Sequence, residues 1–307
     1  MLIYSLKRIL GSIPTLLAII VIAFFMMRLT PGGPFDTEQP LQPEIRENLM
    51  KAYHLDEPLY MQFKRYLFNV LQGDFGPSFK YKDWSVNDLI WMGFPVSLKL
   101  GLSAIGLAMF FGIFFGSLAA LKQNTWIDYT VMGTAMVGIT IPNFVVAPLL
   151  SLVLGVYFKL LPVSGWGDGD FSHVILPIIS LALPQIAYIA RLTRGSMIEV
   201  LRSNFIRTAR AKGLSERLIV TRHALRAALL PVISYLGPAT ANIITGSVVI
   251  EKIFQIPGIG SHFVTGAINR DYTLVMGVVV FFGIIIILFN LFVDLLYGLL
   301  DPRVRYD

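Results

Sequence analysis

A chain of 307 residues has the length of about two soluble domains. Its composition excludes them: 55% of residues are hydrophobic, only 14% are charged and the mean hydropathy is +0.68, too little charge to cover a soluble surface of this size. The net charge of +6 sits in particular loops, not in stripes interleaved with aromatics, which argues against a nucleic-acid partner, and the lack of cysteine excludes disulfides, thiolate metal sites and a cysteine nucleophile.

The apolar runs predict an all-α integral membrane protein, since about 20 apolar residues span a hydrocarbon core of about 30 Å. Six spans are expected: Ile9 to Leu29, Leu100 to Leu121, a third within Val131 to Phe158, a short fourth from Val174 to Ala190, Ala227 to Ile250, and Leu274 to Leu300. Lys7 and Arg8 before the first run resemble a secretory signal. The run is longer than a signal core, however, and no small-x-small cleavage site follows it, so an uncleaved signal-anchor helix is expected.

The hydrophilic stretch from Thr30 to Trp91 predicts a small cap with two short amphipathic helices, near Glu44–Tyr53 and Leu59–Leu71. In the second, Leu59, Phe63, Leu67 and Val70 form one stripe, and Gly73-Asp-Phe-Gly-Pro77 breaks it. Prolines punctuate three spans, with Pro142 and Pro148 in the third, Pro177 and Pro184 in the fourth, and Pro231 and Pro238 in the fifth. Such breaks fit either bundle packing or a moving pathway.

Arg191 to Pro231 is the one long basic segment, with nine Lys/Arg against Glu199 and Glu216. Phe205 to Lys212 reads as a short helix whose carboxyl end carries Arg210 and Lys212. Gly213 stands where a left-handed terminating residue is wanted, and Ser215 is placed to cap a following helix with Glu216 at its favourable end. Positive-inside charge with anionic-lipid contact accounts for such a loop. Its length and its compact Ala-rich turn also fit a docking knob for a soluble protein.

With both termini in the cytoplasm, that side carries fourteen basic and five acidic residues. The other side carries eleven and thirteen, and Asp294 lies within the last span. The positive-inside rule therefore favours cytoplasmic termini. Among intramembrane polar residues, Asn143, Asn242 and Thr245 fit either hydrogen bonding to kinked backbone or lining of a translocation path. Asp294 fits a structural pair with Lys7, Arg8 or a loop arginine, or a proton relay. The four histidines, His54, His173, His223 and His262, show no paired metal-ligand spacing. His223 reads as part of the basic face and the others as loop residues. No metal or catalytic site is expected, and no H-E-x-x-H or G-x-S-x-G pattern occurs.

Thr208-Ala209, Gly213 and Leu230-Pro231 resemble the "EAA…G…I-LP" segment of ABC importer permeases, and Asn204-Phe-Ile-Arg-Thr-Ala-Arg-Ala-Lys-Gly-Leu214 is similar to its peptide-importer version. Arg207 stands where the general pattern has Glu, and Thr208 where it has the first Ala. Arg28-Leu-Thr-Pro-Gly-Gly-Pro34, Leu55-Asp-Glu-Pro58, Gly73-Asp-Phe-Gly-Pro-Ser78, Pro257-Gly-Ile-Gly260, Asn269-Arg-Asp-Tyr272 and Asp301-Pro-Arg303 extend the resemblance over essentially the whole chain.

The resemblance implies a type I importer permease fold in a bacterial inner membrane. Residues 1–93 would form the first helix and cap, 94–300 the core with a coupling segment at 195–226, and 301–307 a cytoplasmic tail. It also implies coupling through Arg207, Thr208, Ala209, Arg210, Lys212, Gly213 and Leu214 to two ATP-binding subunits that hold ATP and magnesium. A related C-type permease, an extracytoplasmic peptide-binding protein and an oligopeptide substrate complete the set. The chain carries no G-x-x-x-x-G-K-[ST] phosphate loop, so no cofactor is expected in it. Permeases for dipeptides, glutathione or nickel complexes are the nearest alternatives, then a proton-coupled carrier. An intramembrane hydrolase lacks a base or metal cluster.

Overall fold

The computed structural model describes residues 2–30, 32–35 and 42–300; the expected tail at 301–307 lies outside them. Helix α1 (Leu2–Leu29) is followed by the cap helices α2 (Pro43–Ala52) and α3 (Leu59–Leu71), then α4 (Val86–Leu121), α5 (Trp126–Thr140) and α6 (Asn143–Leu150). After these come α7 (Phe171–Leu201), α8 (Asn204–Ala211), α9 (Glu216–Leu218), α10 (Leu225–Ala228), α11 (Leu230–Gly246), α12 (Val248–Ile253), α13 (Ile259–Ile268) and α14 (Tyr272–Leu300). Among the described residues five helices are long and apolar enough to cross a membrane, six if the bent pair 126–140 and 143–157 counts as one span.

The bent pair corrects the expected third span. Residues 126–140 and 143–157 meet at 101°, because Ile141 and Pro142 both adopt extended backbone (ψ 120° and 142°). Proline disfavours the α conformation in the residue before it and cannot donate to the turn beneath it, and at Pro142 the helix stops and restarts. Pro148 lies inside α6, and a π-helical stretch, Ser151–Tyr157, follows. The fourth span is also longer than expected. Helix α7 absorbs Pro177 and Pro184 and runs on through the basic residues to Leu201, since leaving the apolar core ends a span but not a helix.

Helix α4 starts at Val86, not near Leu100. A capping box sets its start: the Ser85 hydroxyl accepts from the Asp88 amide (3.1 Å) and the Asp88 carboxylate accepts from the Ser85 amide (3.1 Å). A domain boundary between 93 and 94 therefore falls inside one helix. Two of the three histidines expected in loops are helical, His173 in α7 and His262 in α13. Among the described residues no group of three or more His, Asp or Glu could hold a metal.

Helices α4 and α7 pack with both chains running the same way. Gly101, Ala104, Ala108, Gly112, Gly116 and Ala119 are all buried on α4. A Cβ on Gly112 would lie 2.7 Å from the Ile189 side chain, and one on Gly116 would overlap the Ala190 carbonyl. Only small residues allow two backbones this close, the usual way membrane helices gain packing where lipid supplies no hydrophobic drive.

The cap closes over the end of α1 and the start of α14. Phe63 and Tyr66 of α3 pack on Phe24, at 5.3 and 6.0 Å between ring centres, within a cluster that includes Phe75, Val86, Leu274 and Met276. Phe63, Leu67 and Val70 of the expected stripe pack on this cluster; Gln62 and Tyr66 join them as the buried residues of α3, and Leu59 is exposed. Asp271, fully buried, holds the arrangement. Its carboxylate accepts from the Ser78 hydroxyl, the amides of Phe79 (3.1 Å), Lys80 (3.3 Å) and Leu274 (3.2 Å), and the Thr273 hydroxyl (3.0 Å). The Tyr272 hydroxyl donates to the Gly32 carbonyl at 2.5 Å, so three motifs distant in sequence meet at this end.

A second fully buried carboxylate, Glu251, lies at the end of α12. It accepts from the hydroxyls of Ser97 (2.7 Å) and Ser247 (2.5 Å) and the Ser261 amide (3.0 Å), and Ser97 in turn accepts from the Ile259 amide (3.0 Å). These bonds fix the Pro257–Gly260 loop against α4. At the opposite end of the bundle, Arg8 pairs with Asp294 at 2.6 Å, the structural partnership considered for that acid.

Candidate functional site

Two features carry chemistry outside the packed core: a basic turn at one end of the bundle and a polar cleft within it. The turn is seated by α7. Arg194 grips the buried Asp128 with two hydrogen bonds (2.5 and 2.6 Å), and Asp128 also accepts from the Asn124 amide at 3.0 Å, tying α7 to the turn between α4 and α5. Arg202 donates to the Gln123 side chain at 3.2 Å. Arg191 lies over the Tyr188 ring, 5.1 Å from its centre. Three of the nine basic residues are thus engaged inside the fold.

Helix α8 buries Ile206 and Ala209 in a small core with Met197, Ile219, Ala224 and Ala228. It ends at Gly213, whose φ of +77° is the left-handed conformation that residues with a Cβ resist. The Gly213 amide donates to the Arg210 carbonyl (2.9 Å) and the Leu214 amide to the Ala209 carbonyl (3.3 Å), satisfying the last carbonyls of α8. The expected Ser215 cap differs in detail. Ser215 occupies the position before α9, but its side chain caps nothing. Instead Glu216 reaches back to Arg210 at 2.7 Å, and that hydrogen bond holds the Glu216 carboxyl below its ordinary range. The chain then widens through a π-helical stretch, Ile219–Ala224, before α10.

Of the predicted coupling residues, Ala209 is buried and Leu214 half-buried, so both are ribs of the turn. Arg207, Thr208, Arg210, Lys212 and Gly213 are exposed. Arg217, Arg222 and Arg226 extend the exposed positive surface. Sequence reasoning did not single out Phe205, half of whose surface is exposed at the head of α8 beside these charges. The result is a convex, basic knob with one aromatic contact.

The cleft, about 250 Å³, lies at the corner between α5 and α6, against the proline-bearing α7 and α11. It is lined by Ile139, Ile141, Pro142 and Asn143 at the α5–α6 bend, Leu181, Pro184 and Gln185 of α7, and Asn242, Ile243 and Gly246 of α11. The two readings of the intramembrane polar residues separate here. Thr245 donates its hydroxyl to the Ala241 carbonyl at 2.9 Å and lies off the cleft wall. Asn143 and Asn242 line it, and their carboxamides have no hydrogen-bond partner among the described residues. Gln185 joins them, its oxygen accepting from the Tyr235 hydroxyl at 2.5 Å, and Tyr235 stacks on Tyr188 at 4.3 Å. Gln185 and Tyr235 were not among the residues expected from sequence, although the position of Gln185 beside Pro184 was the available signal.

Comparison with known proteins follows the same outline. Residues 112–306 match the family described as "Binding-protein-dependent transport system inner membrane component". Residues 1–101 match its amino-terminal counterpart, "Binding-prot-dependent transport system membrane comp, N-term". The chain is 57% identical over 306 residues to the oligopeptide transport system permease protein OppB of Escherichia coli K12, covering 100% of both chains. It is 47% identical to the dipeptide transport system permease protein DppB of Bacillus subtilis, covering 98% of this chain and 97% of that one. Among solved structures, a chain of the MetNI methionine ABC transporter in an inward-facing conformation aligns with a TM-score of 0.57 at 18% identity. That alignment covers 69% of this chain and 96% of the other, so the two share a fold, the type I importer permease fold.

Proposed function

The chain belongs to the family of binding-protein-dependent transport system inner membrane components, and from that premise we propose that it is the membrane subunit of an ATP-driven importer of oligopeptides. The observation that carries the reading is the basic knob: a helix, a left-handed glycine turn and a second helix, rigidly seated on α7 and presenting Phe205, Arg207 and Lys212 outward. A topological anchor needs charge but no shape; this segment has both. Full-length similarity to an oligopeptide permease supports the substrate class.

In this reading both termini and the knob face the cytoplasm, and the cap faces outward. The knob seats in a groove of one of two ATPase subunits, which hold ATP and magnesium. A related C-type permease completes the membrane pore, and an extracytoplasmic binding protein delivers peptide. The chain catalyses no bond change. Closure of the ATPases pushes on α8, the Asp128–Arg194 clasp passes the push to α4, α5 and α7 together, and the cleft among the broken helices opens to alternate sides.

Replacing Gly213 by leucine tests the docking. Nothing lies within 4 Å of the added Cβ, so the effect is conformational: the left-handed turn resists the side chain and the knob is misshapen. Membrane insertion is expected to persist while peptide uptake by the complete importer falls more than about tenfold, a loss that a strain of about 1–2 kcal/mol at the docking turn supports. Normal uptake with normal ATPase coupling would remove the docking assignment.

A further inference from the structure

We infer that the cleft reads the peptide main chain: Asn143, Gln185 and Asn242 hydrogen-bond the backbone amides of the passing peptide and leave its side chains and termini unread. The inference rests on the import reading above and names the substrate feature recognised at this site.

Three carboxamides come to this one cleft from three separate elements, α6, α7 and α11. Each stands by a proline: Asn143 directly after Pro142, Gln185 directly after Pro184, and Asn242 one turn beyond Pro238. The corner at Pro142 makes room where a straight span would close, while α7 and α11 stay continuous through Pro184 and Pro238. Counting about 1.5 Å per residue along α7, Gln185 is about 14 Å from Arg194. That is about the middle of a hydrocarbon core of about 30 Å, where transporters place their substrates.

The chemistry of the wall selects the ligand. A carboxamide offers an acceptor oxygen and two N–H donors, so it can pair with both the one N–H and the one carbonyl of a peptide unit. The Asn143 and Asn242 amides are unpartnered among the described residues. The Tyr235 hydroxyl occupies the oxygen of Gln185, which leaves the Gln185 N–H donors for a carbonyl in the cleft. Tyr235 is therefore a positioning residue. The rest of the wall is aliphatic, proline or glycine, with no Asp, Glu, Lys, Arg or His. Such a wall forms no ion pair with a charged side chain, a terminal ammonium or a terminal carboxylate, and holds no group that titrates. Its mouth is open, with Asn242 and Gly246 exposed, so an extended chain can enter and leave.

The test uses the importer purified with all its partner subunits and reconstituted in proteoliposomes with ATP and binding protein. The probes are a neutral tetrapeptide, the same peptide with its central amides N-methylated, and versions carrying one Lys, Glu or Phe. Uptake is divided by the affinity of the binding protein for each probe. The unaltered importer should move the side-chain variants within about threefold of one another and the N-methylated peptide about tenfold more slowly, the worth of about one or two backbone hydrogen bonds. In Asn143→Leu, Gln185→Leu and Asn242→Leu the ratio of parent to N-methylated uptake should collapse toward one, with subunit recovery as the control for assembly. Tyr235→Phe should lower the ratio partway.

Gln185→Glu and Asn242→Asp keep the shape of the site in case a leucine variant fails to assemble, and each should make the importer favour the Lys peptide. A ratio unchanged in the leucine variants, or no charge preference in the acidic ones, overturns the main-chain reading and leaves peptide import standing. If the unaltered complete importer moves no peptide at all, the import reading itself fails.

Discussion

The two ends of the molecule treat charge in opposite ways. At the cap end the carboxylates of Asp271 and Glu251 are fully buried, and each is surrounded by hydroxyl and amide donors of its own chain. At the basic end Arg207, Lys212, Arg217, Arg222 and Arg226 stand exposed on a turn shaped by Gly213. A buried charge is tolerable only when its lone pairs are met, so the cap end is a closed structural device. Exposed, preorganised charge contributes little to folding and is available to a partner. The clasp of Asp128 and Arg194 sits between these extremes, built like the cap carboxylates but located beside the knob.

The comparison breaks first if the cap carboxylates are not structural. Asp271→Ala removes the acceptor for five donors and should lower stability by about 3–5 kcal/mol. It should appear as a depressed thermal midpoint in detergent and as faster proteolysis near residues 76–82. An unmoved midpoint with an intact cap would refute the latch.

Next in size, Asp128→Asn leaves Arg194 without its counter-charge and should cost about 2–4 kcal/mol, discounted because the arginine keeps some exposure. The double variant Asp128→Asn with Arg194→Met should recover part of that loss. If the two single effects simply add, the clasp is not a coupled pair.

The smallest stability effect should come from Arg207→Ala and Lys212→Ala, where the thermal midpoint stays within error. Recovery of the ATPase subunits with the membrane protein should instead fall, more steeply as salt is raised. A lowered midpoint with undiminished recovery of the ATPases would reverse the contrast between the ends.

Hydropathy located the spans because bilayer thickness fixes their length. Gly213 was legible because a helix ending in a basic residue and a glycine has a local signature. The buried acids were not legible. Glu251 and Asp271 read as two of thirteen acids on one side, since their partners Ser97 and Ser78 lie 154 and 193 positions away in sequence. The bend at Pro142 was expected as a kink, but only the extended backbone of both Ile141 and Pro142 turns it into a corner. Asn143 and Asn242 could be named from their rarity in lipid. Gln185 offered the same kind of signal beside Pro184, but its bond to Tyr235, fifty residues on, was not legible.

The glycine and alanine seam between α4 and α7 has a mechanical consequence. Two rods touching backbone to backbone over most of their length resist bending far better than either alone. That beam bears Gln185 near its middle and the Arg194 clasp toward one end. In the proposed import reading a thrust delivered at the knob would swing the beam as a lever, with the strain taken up at the corner between Ile141 and Pro142. The most sharply bent span would then be the hinge that lets the stiffest pair move.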